Sequence, residues 1–259
     1  MPAAEPVDWR DGLPHSPRFG EGYRSRSGAL AQAATVFLGG CGLPQAWQGR
    51  TAYAVLETGF GLGINFLATW ARWEADPQRC SLLRYRALEA YPVAADELLR
   101  SARQALAEAG EAAHAWARLP ELAQALSQHW AALRPGLQTW VLAGGQVELT
   151  LAVGEVVPML GELEPSADAV YLDGFSPSVN PQMWSPQTLA AVARHGRAGT
   201  RLATYTTQRG VRDGLEALGF YVRRCPGLPP KKHRLEAALQ PHAAWGSLAI
   251  AQAAPEPGA

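Results

Sequence analysis

The 259-residue sequence predicts an α/β fold built on an open, mostly parallel sheet, and three observations indicate it. Apolar runs typical of buried strands alternate with segments of helical periodicity, an order that gives parallel strands joined by crossover helices. Three of these runs end in an acid, at Glu57, Glu89 and Asp173, which places the acids at the edge where such sheets bind ligands. The link at 226–230 is too short for a crossover helix, so we expect an antiparallel last strand.

We expect the chain to divide into three segments. Residues 1–50 carry several prolines and glycines among short apolar runs such as T-V-F-L at 35–38. This pattern is typical of a β-rich extension of short strands and turns packed on a larger core. Residues 51–240 hold the main domain, and residues 241–259 form a tail that we expect to be partly disordered.

The main domain is predicted to begin with a buried strand at 53–57 and a helix at 64–74, whose aromatic residues recur at helical spacing and fit a core. A second strand at 84–89 precedes a helical insertion at about 94–135, which is rich in Ala, Leu, Glu and Gln. The further elements are a hairpin at 137–142 and 147–153 around a Gly-Gly turn, a strand at 168–173, a helix at 186–195, a strand at 200–206, a helix at 210–218, and strands at 220–225 and 233–239.

Composition argues against several function classes. The 23 basic and 23 acidic side chains give a formal net charge of zero, unlike the basic excess of proteins that bind nucleic acid by general electrostatics. Basic residues at 223–224 and 231–234 leave a local basic face open, with an ordinary solvated surface as the alternative. The three cysteines are far apart and no H-E-x-x-H motif occurs, so we expect no metal. The sequence lacks a membrane-spanning apolar run and a signal-peptide pattern, so we expect a cytoplasmic protein without a membrane partner.

The strand-to-helix turn E-T-G-F-G-L-G-I-N at 57–65 carries the clearest local signal. Glycines at such a turn let the backbone approach a ligand closely. A turn that binds a pyrophosphate reads G-x-G-x-x-G, but this chain has Ile64 at the third position, which disfavours a nicotinamide oxidoreductase. The acid before the first glycine would repel a pyrophosphate, whereas it suits a ligand that carries an ammonium and a sulfonium.

This acid-x-G-x-G-x-G pattern resembles motif I of the class I S-adenosylmethionine (SAM) methyltransferases, whose Rossmann-like sheet is mostly parallel with an antiparallel last strand. The resemblance implies SAM as cofactor, and a glycine turn that binds no ligand is the alternative. Glu89 is expected to accept hydrogen bonds from both ribose hydroxyls. Glu155 is expected to contact the adenine edge, unless it only serves as an acid at a helix N-terminus. The expected cofactor-binding residues are Glu57, Gly59, Gly61, Gly63, Asn65, Glu89, Glu155 and Asp173.

A second informative segment reads D-G-F-S-P-S-V-N-P-Q-M-W at 173–184. It resembles the D-P-P-Y type motif of amine methyltransferases, in which an acid and backbone carbonyls hold the acceptor nitrogen while an aromatic ring packs on its flat group. Methyl transfer needs a neutral amine, whereas an alkylamine with a pKa of about 10.4 is mostly protonated at neutral pH. We expect Asp173 to accept that proton, with Phe175 and Pro177 as the other catalytic residues.

Together, the segments 57–67 and 172–184 and the N-terminal V-F-L at 36–38 and L-P at 43–44 resemble one family. They are similar to the methyltransferase part of MnmC and to its stand-alone counterpart MnmD. That family methylates the aminomethyl group on the wobble uridine of certain tRNAs, giving 5-methylaminomethyl-2-thiouridine. MnmC carries a second, FAD-dependent oxidase domain, and this chain ends where that domain would begin. The resemblance therefore implies methyltransferase activity alone, with no FAD domain in this chain.

The resemblance also implies the anticodon loop of a tRNA as partner. Trp184 and Met183 are expected to stack on a flipped-out base, although core packing explains both residues equally well. The other expected substrate-binding residues are Asn180, Lys231, Lys232 and Arg234.

Three stretches of the chain depart from the family pattern, at 23–25, 206–213 and 227–236, and these are the places expected to shape tRNA docking. A different amine or nucleobase acceptor therefore stays open. A catalytically silent binding module that kept the fold is a further alternative.

Overall fold

The continuous apolar runs predicted as buried strands lie at the centre of an eight-stranded sheet in the computed structural model, which describes residues 4–239. The predicted tail at 241–259 lies outside the described residues. The strands within them are β1 (Asp8–Arg10), β2 (Leu13–Ser16), β3 (Glu21–Gly22), β4 (Ala52–Glu57), β5 (Leu82–Glu89), β6 (Gly136–Leu142), β7 (Val147–Val153), β8 (Ala167–Tyr171), β9 (Gly196–Thr204), β10 (Phe220–Pro226) and β11 (His233–Leu239).

The large sheet has the strand order β10-β11-β9-β8-β4-β5-β7-β6. Neighbours from β9 to β7 run parallel, whereas β11 is antiparallel to both β9 and β10. Strand β6 pairs antiparallel with β7, as the Gly-Gly turn predicts. The predicted α/β class, with its mostly parallel sheet and antiparallel last strand, is confirmed. Strands β1, β2 and β3 form a separate antiparallel sheet.

Helices cover both faces of the large sheet, as crossover connections between parallel strands require. None of the helices within residues 4–239 combines the length and the apolarity that a bilayer crossing requires. The α-helices are α1 (Ala29–Gln32), α2 (Ile64–Ala75), α3 (Ala95–Glu108), α4 (Leu119–Ser127), α5 (Val156–Glu162), α6 (Pro186–Ala193) and α7 (Arg209–Ala217). Short 3-10 segments lie at Gln45–Trp47, Gly110–Trp116, Trp130–Ala132, Ala143–Gly145 and Pro181–Trp184.

The core consists of two apolar clusters on opposite faces of the large sheet. The alternation of side chains along β4 separates them, since Val55 belongs to one cluster and Leu56 to the other. The aromatic residues of α2 predicted as core, among them Phe66 and Trp73, are fully buried in the first cluster. Helices α3 and α4 and two of the 3-10 segments occupy the predicted insertion at 94–135.

The predicted strand at 35–38 is wrong, because Ala33–Leu38 continues α1 as a π-helical segment. The hydrogen bond from the Gly39 amide to the Ala34 carbonyl spans the five residues that define this winding. Phe37 is fully buried and its ring lies 5.4 Å from that of Tyr171, so burial against β8 overrides the strand preference of a Thr-Val-Phe run.

The N-terminal sheet and the residues that follow it make polar contacts with α3. Trp9 Nε1 donates to Glu97 at 2.6 Å, and Arg24 forms an ion pair with Glu108. The division of the chain into an extension, a main domain and a tail stays a prediction.

Candidate active site

A cavity of about 470 Å³ opens where β4, β5, β7 and β8 end. This is the edge at which an open parallel sheet binds ligands, and the volume suits a small organic ligand. Loops after these four strands form its floor, and the N-terminal sheet forms its roof through Leu13, His15, Phe19, Glu21 and Tyr23.

The glycine turn after β4 needs its glycines for two different reasons. Gly61 and Gly63 have φ angles of 53° and 73°, in the left-handed region that residues with a Cβ rarely adopt. Gly59 instead allows a close approach, because an added Cβ would lie 3.1 Å from the carbonyl oxygen of Asp173. The glycine turn and the Asp173 loop therefore touch backbone to backbone. Gly59 and Gly61 line the cavity.

An amide bridges two carboxylates beneath the cavity. Asn65 Nδ2 lies 2.7 Å from Glu57 Oε1 and 2.8 Å from Asp173 Oδ2, and it donates to both. The Tyr85 hydroxyl donates to the other Glu57 oxygen at 2.9 Å. Burial raises the pKa of Glu57 well above its usual range, and the nearby charge of Asp173 adds to this. Glu57 has no exposed surface and stands behind the cavity wall, so it reaches a ligand only through Asn65.

Asp173 lies on the cavity wall and is held on three sides. The Thr58 hydroxyl donates to its carbonyl oxygen at 2.7 Å and accepts from its amide at 3.0 Å. The Gly174 amide donates to Asp173 Oδ1 at 2.9 Å. Burial raises the pKa of Asp173 to about 6, although the hydrogen bonds from Gly174 and Asn65 and the charge of Lys231 oppose the rise. The carboxylate is therefore ionised at neutral pH and close to its titration range.

Glu89 lies at the end of β5 with both carboxylate oxygens fixed by backbone amides. Its oxygens accept from Gly61 at 2.7 Å and from Tyr91 at 2.9 Å, and burial raises its pKa. Each oxygen keeps a lone pair for a ligand hydroxyl. Glu155 also lines the cavity, and it precedes α5 without a capping hydrogen bond from its side chain.

Aromatic side chains line another part of the cavity and form an aromatic wall that meets the roof. Phe175 stacks on Phe19 with ring centroids 4.5 Å apart and meets the edge of Tyr23 at 5.0 Å. The Tyr205 hydroxyl donates to the Gly174 carbonyl at 2.7 Å. The predicted residues Asn180 and Met183 line the cavity.

Two residues predicted from the 173–184 segment do not reach the cavity. Pro177 is half-buried outside the lining residues. Trp184 is buried in the second core cluster with 6% exposure, so it cannot stack on a base, and that prediction is corrected. Its indole nitrogen donates to the Phe175 carbonyl at 2.8 Å, which makes it a support for the loop.

The three predicted basic residues, Lys231, Lys232 and Arg234, have different surroundings. Lys231 lines the cavity, and its Nζ lies 3.6 Å from the centroid of the Tyr205 ring. Lys232 lines a neighbouring cavity. Arg234 also lines the main cavity, but its guanidinium is paired with Glu236.

Sequence reasoning missed the roof of the site. Phe19, Glu21 and Tyr23 line the cavity from the N-terminal part of the chain, and Glu21 accepts from the Ser176 amide at 2.6 Å. Tyr205, which follows β9, also lines it and was not predicted. The aromatic residues of the extension were the only available signal, and nothing in their spacing shows that they fold over the strand ends.

The polar groups that line the cavity fit S-adenosylmethionine. The carboxylates of Asp173 and Glu89 face the cavity on either side of the glycine turn, as a cationic ligand with ribose hydroxyls requires. Gly59 and Gly61 expose backbone to the cavity, where such a ligand can approach it closely. Within residues 4–239 no cluster of His, Cys, Asp and Glu side chains is placed to hold a metal ion.

Comparison with known proteins gives a family match and close relatives. Residues 117–240 match the model of a family described as S-adenosyl-L-methionine-dependent methyltransferase. The chain is 53% identical over 243 residues to the tRNA 5-methylaminomethyl-2-thiouridine biosynthesis bifunctional protein MnmC of Paracidovorax citrulli, covering 93% of this chain and 36% of that protein. The MnmC protein of Acidovorax sp. strain JS42 is 51% identical, covering 92% of this chain and 36% of the relative. The chain thus spans about a third of the length of these relatives.

Among solved structures, MNMC2 from Aquifex aeolicus superimposes with a TM-score of 0.68 at 22% identity. The match covers 88% of this chain and 67% of that chain. It supports the fold.

Proposed function

We propose that this chain, whose residues 117–240 match the model of an S-adenosyl-L-methionine-dependent methyltransferase family and which is 53% identical to MnmC over 243 residues, methylates a primary amine on tRNA. The proposed acceptor is the aminomethyl group of the wobble uridine. The observation that carries this proposal is the position of Asp173. Its carboxylate belongs both to the bridged acid pair below the glycine turn and to the loop that presents Phe175 and Met183 to the cavity.

When bound, SAM supplies an electrophilic methyl group on a cationic sulfur. Glu89 and the glycine turn would hold the nucleoside part of the cofactor, while Asp173 and the Asn65 bridge place negative charge near its cationic end. Because Gly59 and Gly61 line the cavity and have no side chains, the cofactor could approach their backbone closely.

Asp173 is also the proton acceptor in the proposed reaction. An acceptor amine arrives as an ammonium, and the ionised carboxylate of Asp173 can pair with it and take one proton, leaving the nitrogen lone pair free. Two imidazoles, those of His15 and His233, also line the cavity, whereas none of the three cysteines is among its lining residues. Thr58 and Gly174 fix the loop, so the carboxylate does not need to reorient.

The aromatic wall would receive the flat ring that carries the amine. Phe175 is held by Phe19 and by the edge of Tyr23, which limits its rotation. A wobble nucleotide in an anticodon loop can splay out and pack on such a surface. The Tyr205 hydrogen bond to Gly174 fixes the loop from the other side.

Mass analysis of nucleosides after incubation with methyl-labelled SAM tests the proposal. One anticodon stem-loop carries 5-aminomethyl-2-thiouridine at the wobble position, and a matched stem-loop carries 2-thiouridine. We expect label in the first alone, as 5-methylaminomethyl-2-thiouridine.

The Asp173→Asn variant is the mechanistic control. It should lower turnover at saturating SAM at least about tenfold, a conservative bound against the roughly 10²- to 10⁴-fold effect of general acid–base catalysis, while SAM affinity changes only a few-fold. Equal labelling of both stem-loops, or label in another nucleoside, would contradict the proposed acceptor.

A further inference from the structure

Lysine is nearly absent from this chain. Of its 23 basic side chains only two are lysines, Lys231 and Lys232, and they are consecutive in the loop between β10 and β11. Lysine offers a compact ammonium with three donors, whereas arginine offers a planar fork.

The two lysines line a second cavity of about 290 Å³. It shares Tyr205, Lys231 and His233 with the main cavity, so the two cavities adjoin at Lys231. Its lining contains no carboxylate and consists of hydroxyl, amide, imidazole and ammonium groups. The lining residues are Tyr205, Thr206, Thr207, Gln208, Lys231, Lys232 and His233.

The two ammonium groups have different surroundings. Lys231 Nζ packs on the Tyr205 ring, and the nearby charges of Asp173 and Glu21 favour its ammonium form. Desolvation nevertheless lowers the pKa of Lys231. Among the described residues Lys232 forms no ion pair and no side-chain hydrogen bond, and its side chain is exposed. Lys232 is therefore free to bind an anion.

The loop that carries the lysines is held in place. The Gly227 amide donates to the Lys232 carbonyl at 2.9 Å, and the Lys231 amide donates to the Leu228 carbonyl at 2.8 Å. The Ser27 hydroxyl donates to the Pro229 carbonyl and ties the loop to the N-terminal part of the chain. An added Cβ on Gly227 would lie 2.5 Å from the Lys231 carbonyl oxygen, so the turn depends on glycine there.

We propose that the second cavity holds a backbone phosphate of the nucleotide next to the methylated one, with Lys232 as its counter-ion. The inference rests on the proposed function, because it requires an RNA acceptor. A nucleotide whose base enters the main cavity must leave its backbone at the rim. The adjoining cavity offers that backbone an unpaired ammonium and the hydroxyl of Thr207, both suited to phosphate oxygens.

Neutralising one phosphate at a time tests this contact. Stem-loops carrying 5-aminomethyl-2-thiouridine are made with a methylphosphonate on either side of the wobble nucleotide and compared with the all-phosphate RNA. For the all-phosphate RNA we expect Lys232→Gln to raise Kd about tenfold and to reduce the slope of log Kd against log salt by about 0.7. For one of the methylphosphonate RNAs, the difference between wild type and variant should fall below twofold.

Arg194→Gln is the matched control. Arg194 is an exposed cation just after α6, where the chain enters β9, and so lies at the end of the strands away from the cavity. This variant should leave Kd for every RNA within twofold, which separates a local contact from general electrostatics. A tenfold loss that persists with both methylphosphonates would overturn the phosphate site while leaving the proposed function intact. Failure of the wild type to bind any of the stem-loops would overturn both.

Lysine acetylation gives a second readout without mutation. Because only Lys231 and Lys232 carry side-chain amines, mass spectrometry resolves each site. The all-phosphate RNA should slow acetylation of Lys232 at least fivefold, and the sensitive methylphosphonate RNA should not. Equal acetylation of Lys232 with and without bound RNA would contradict the proposal.

Discussion

At the scale of single residues, Asp173 has the most consequential environment in the site. Its pKa of about 6 results mainly from burial, against the opposing hydrogen bonds of Gly174 and Asn65. The folded value exceeds the unfolded value of 3.8, so the folded chain binds this proton more tightly. The stability contribution of Asp173 therefore falls as pH rises from about 4 through 6. Under the proposed function, this lost stability accompanies a proton acceptor whose pKa lies near neutrality.

This pKa predicts a specific pH profile for kcat/KM of the RNA acceptor at saturating SAM. If the ammonium form binds and Asp173 takes its proton, the wild-type rate should be flat from about pH 6 up to the pKa of the amine. Below an apparent pKa at or below 6 it should fall tenfold per pH unit, because protonated Asp173 cannot accept a proton and a bound sulfonium favours the carboxylate.

Asp173→Asn tests the assignment in the same assay. This variant can use only the free amine, so its rate should rise tenfold per pH unit across the range where the wild type is flat. A flat profile in both proteins would remove Asp173 from the proton-transfer role.

At the scale of elements, the junction of β4 and α2 does most of the positioning. Gly63 precedes α2 in a left-handed conformation, and an added Cβ would lie 3.1 Å from the Phe60 ring. The turn brings Gly59 against the Asp173 loop, and Asn65 in the first turn of α2 bridges the two acids. A short local segment thus fixes both halves of the site.

Two glycine substitutions should act in opposite directions on stability. Gly63→Ala should lower the free energy of unfolding by about 1–2 kcal/mol, since alanine resists the left-handed region. Gly161→Ala is the matched control in α5, where an added Cβ meets no atom within 4 Å, and it should raise stability by about 0.5–1 kcal/mol.

Urea unfolding of both variants measures the difference. Activity should fall in Gly63→Ala and stay unchanged in Gly161→Ala. An equal stability change for the two glycines would show that the backbone conformation at Gly63 carries no special cost.

At the scale of the whole molecule, local patterns predicted the sheet and the glycine turn after β4, but not the roof or the burial of Trp184. The β4 strand, its glycines and Glu57 lie within one short stretch, where spacing and residue type carry the structure. Phe19 and Phe175 are separated by more than half of the sequence, and no local rule pairs them. The Trp184 side chain is of a type that often stacks on bases, and only its packing in the second core cluster shows that it supports the Asp173 loop instead. The π-helical segment at Ala33–Leu38 is likewise decided by burial against β8.

The roof predicts that acceptor binding and cofactor binding can be separated by mutation. Phe19→Ala removes the stack on Phe175 and the cover of the aromatic wall, while the glycine turn, Glu89 and the Asn65 bridge stay in place. An aromatic pair contributes about 0.5–1.5 kcal/mol beyond its buried area. We therefore expect kcat/KM for the RNA to fall about tenfold while the Kd of SAM changes less than threefold. Arg10→Ala, in an exposed ion pair of the same small sheet, should alter neither quantity. Parallel loss of SAM and RNA affinity in Phe19→Ala would instead show that the N-terminal sheet holds the whole cavity together, because its removal would then disturb the cofactor side as much as the acceptor side.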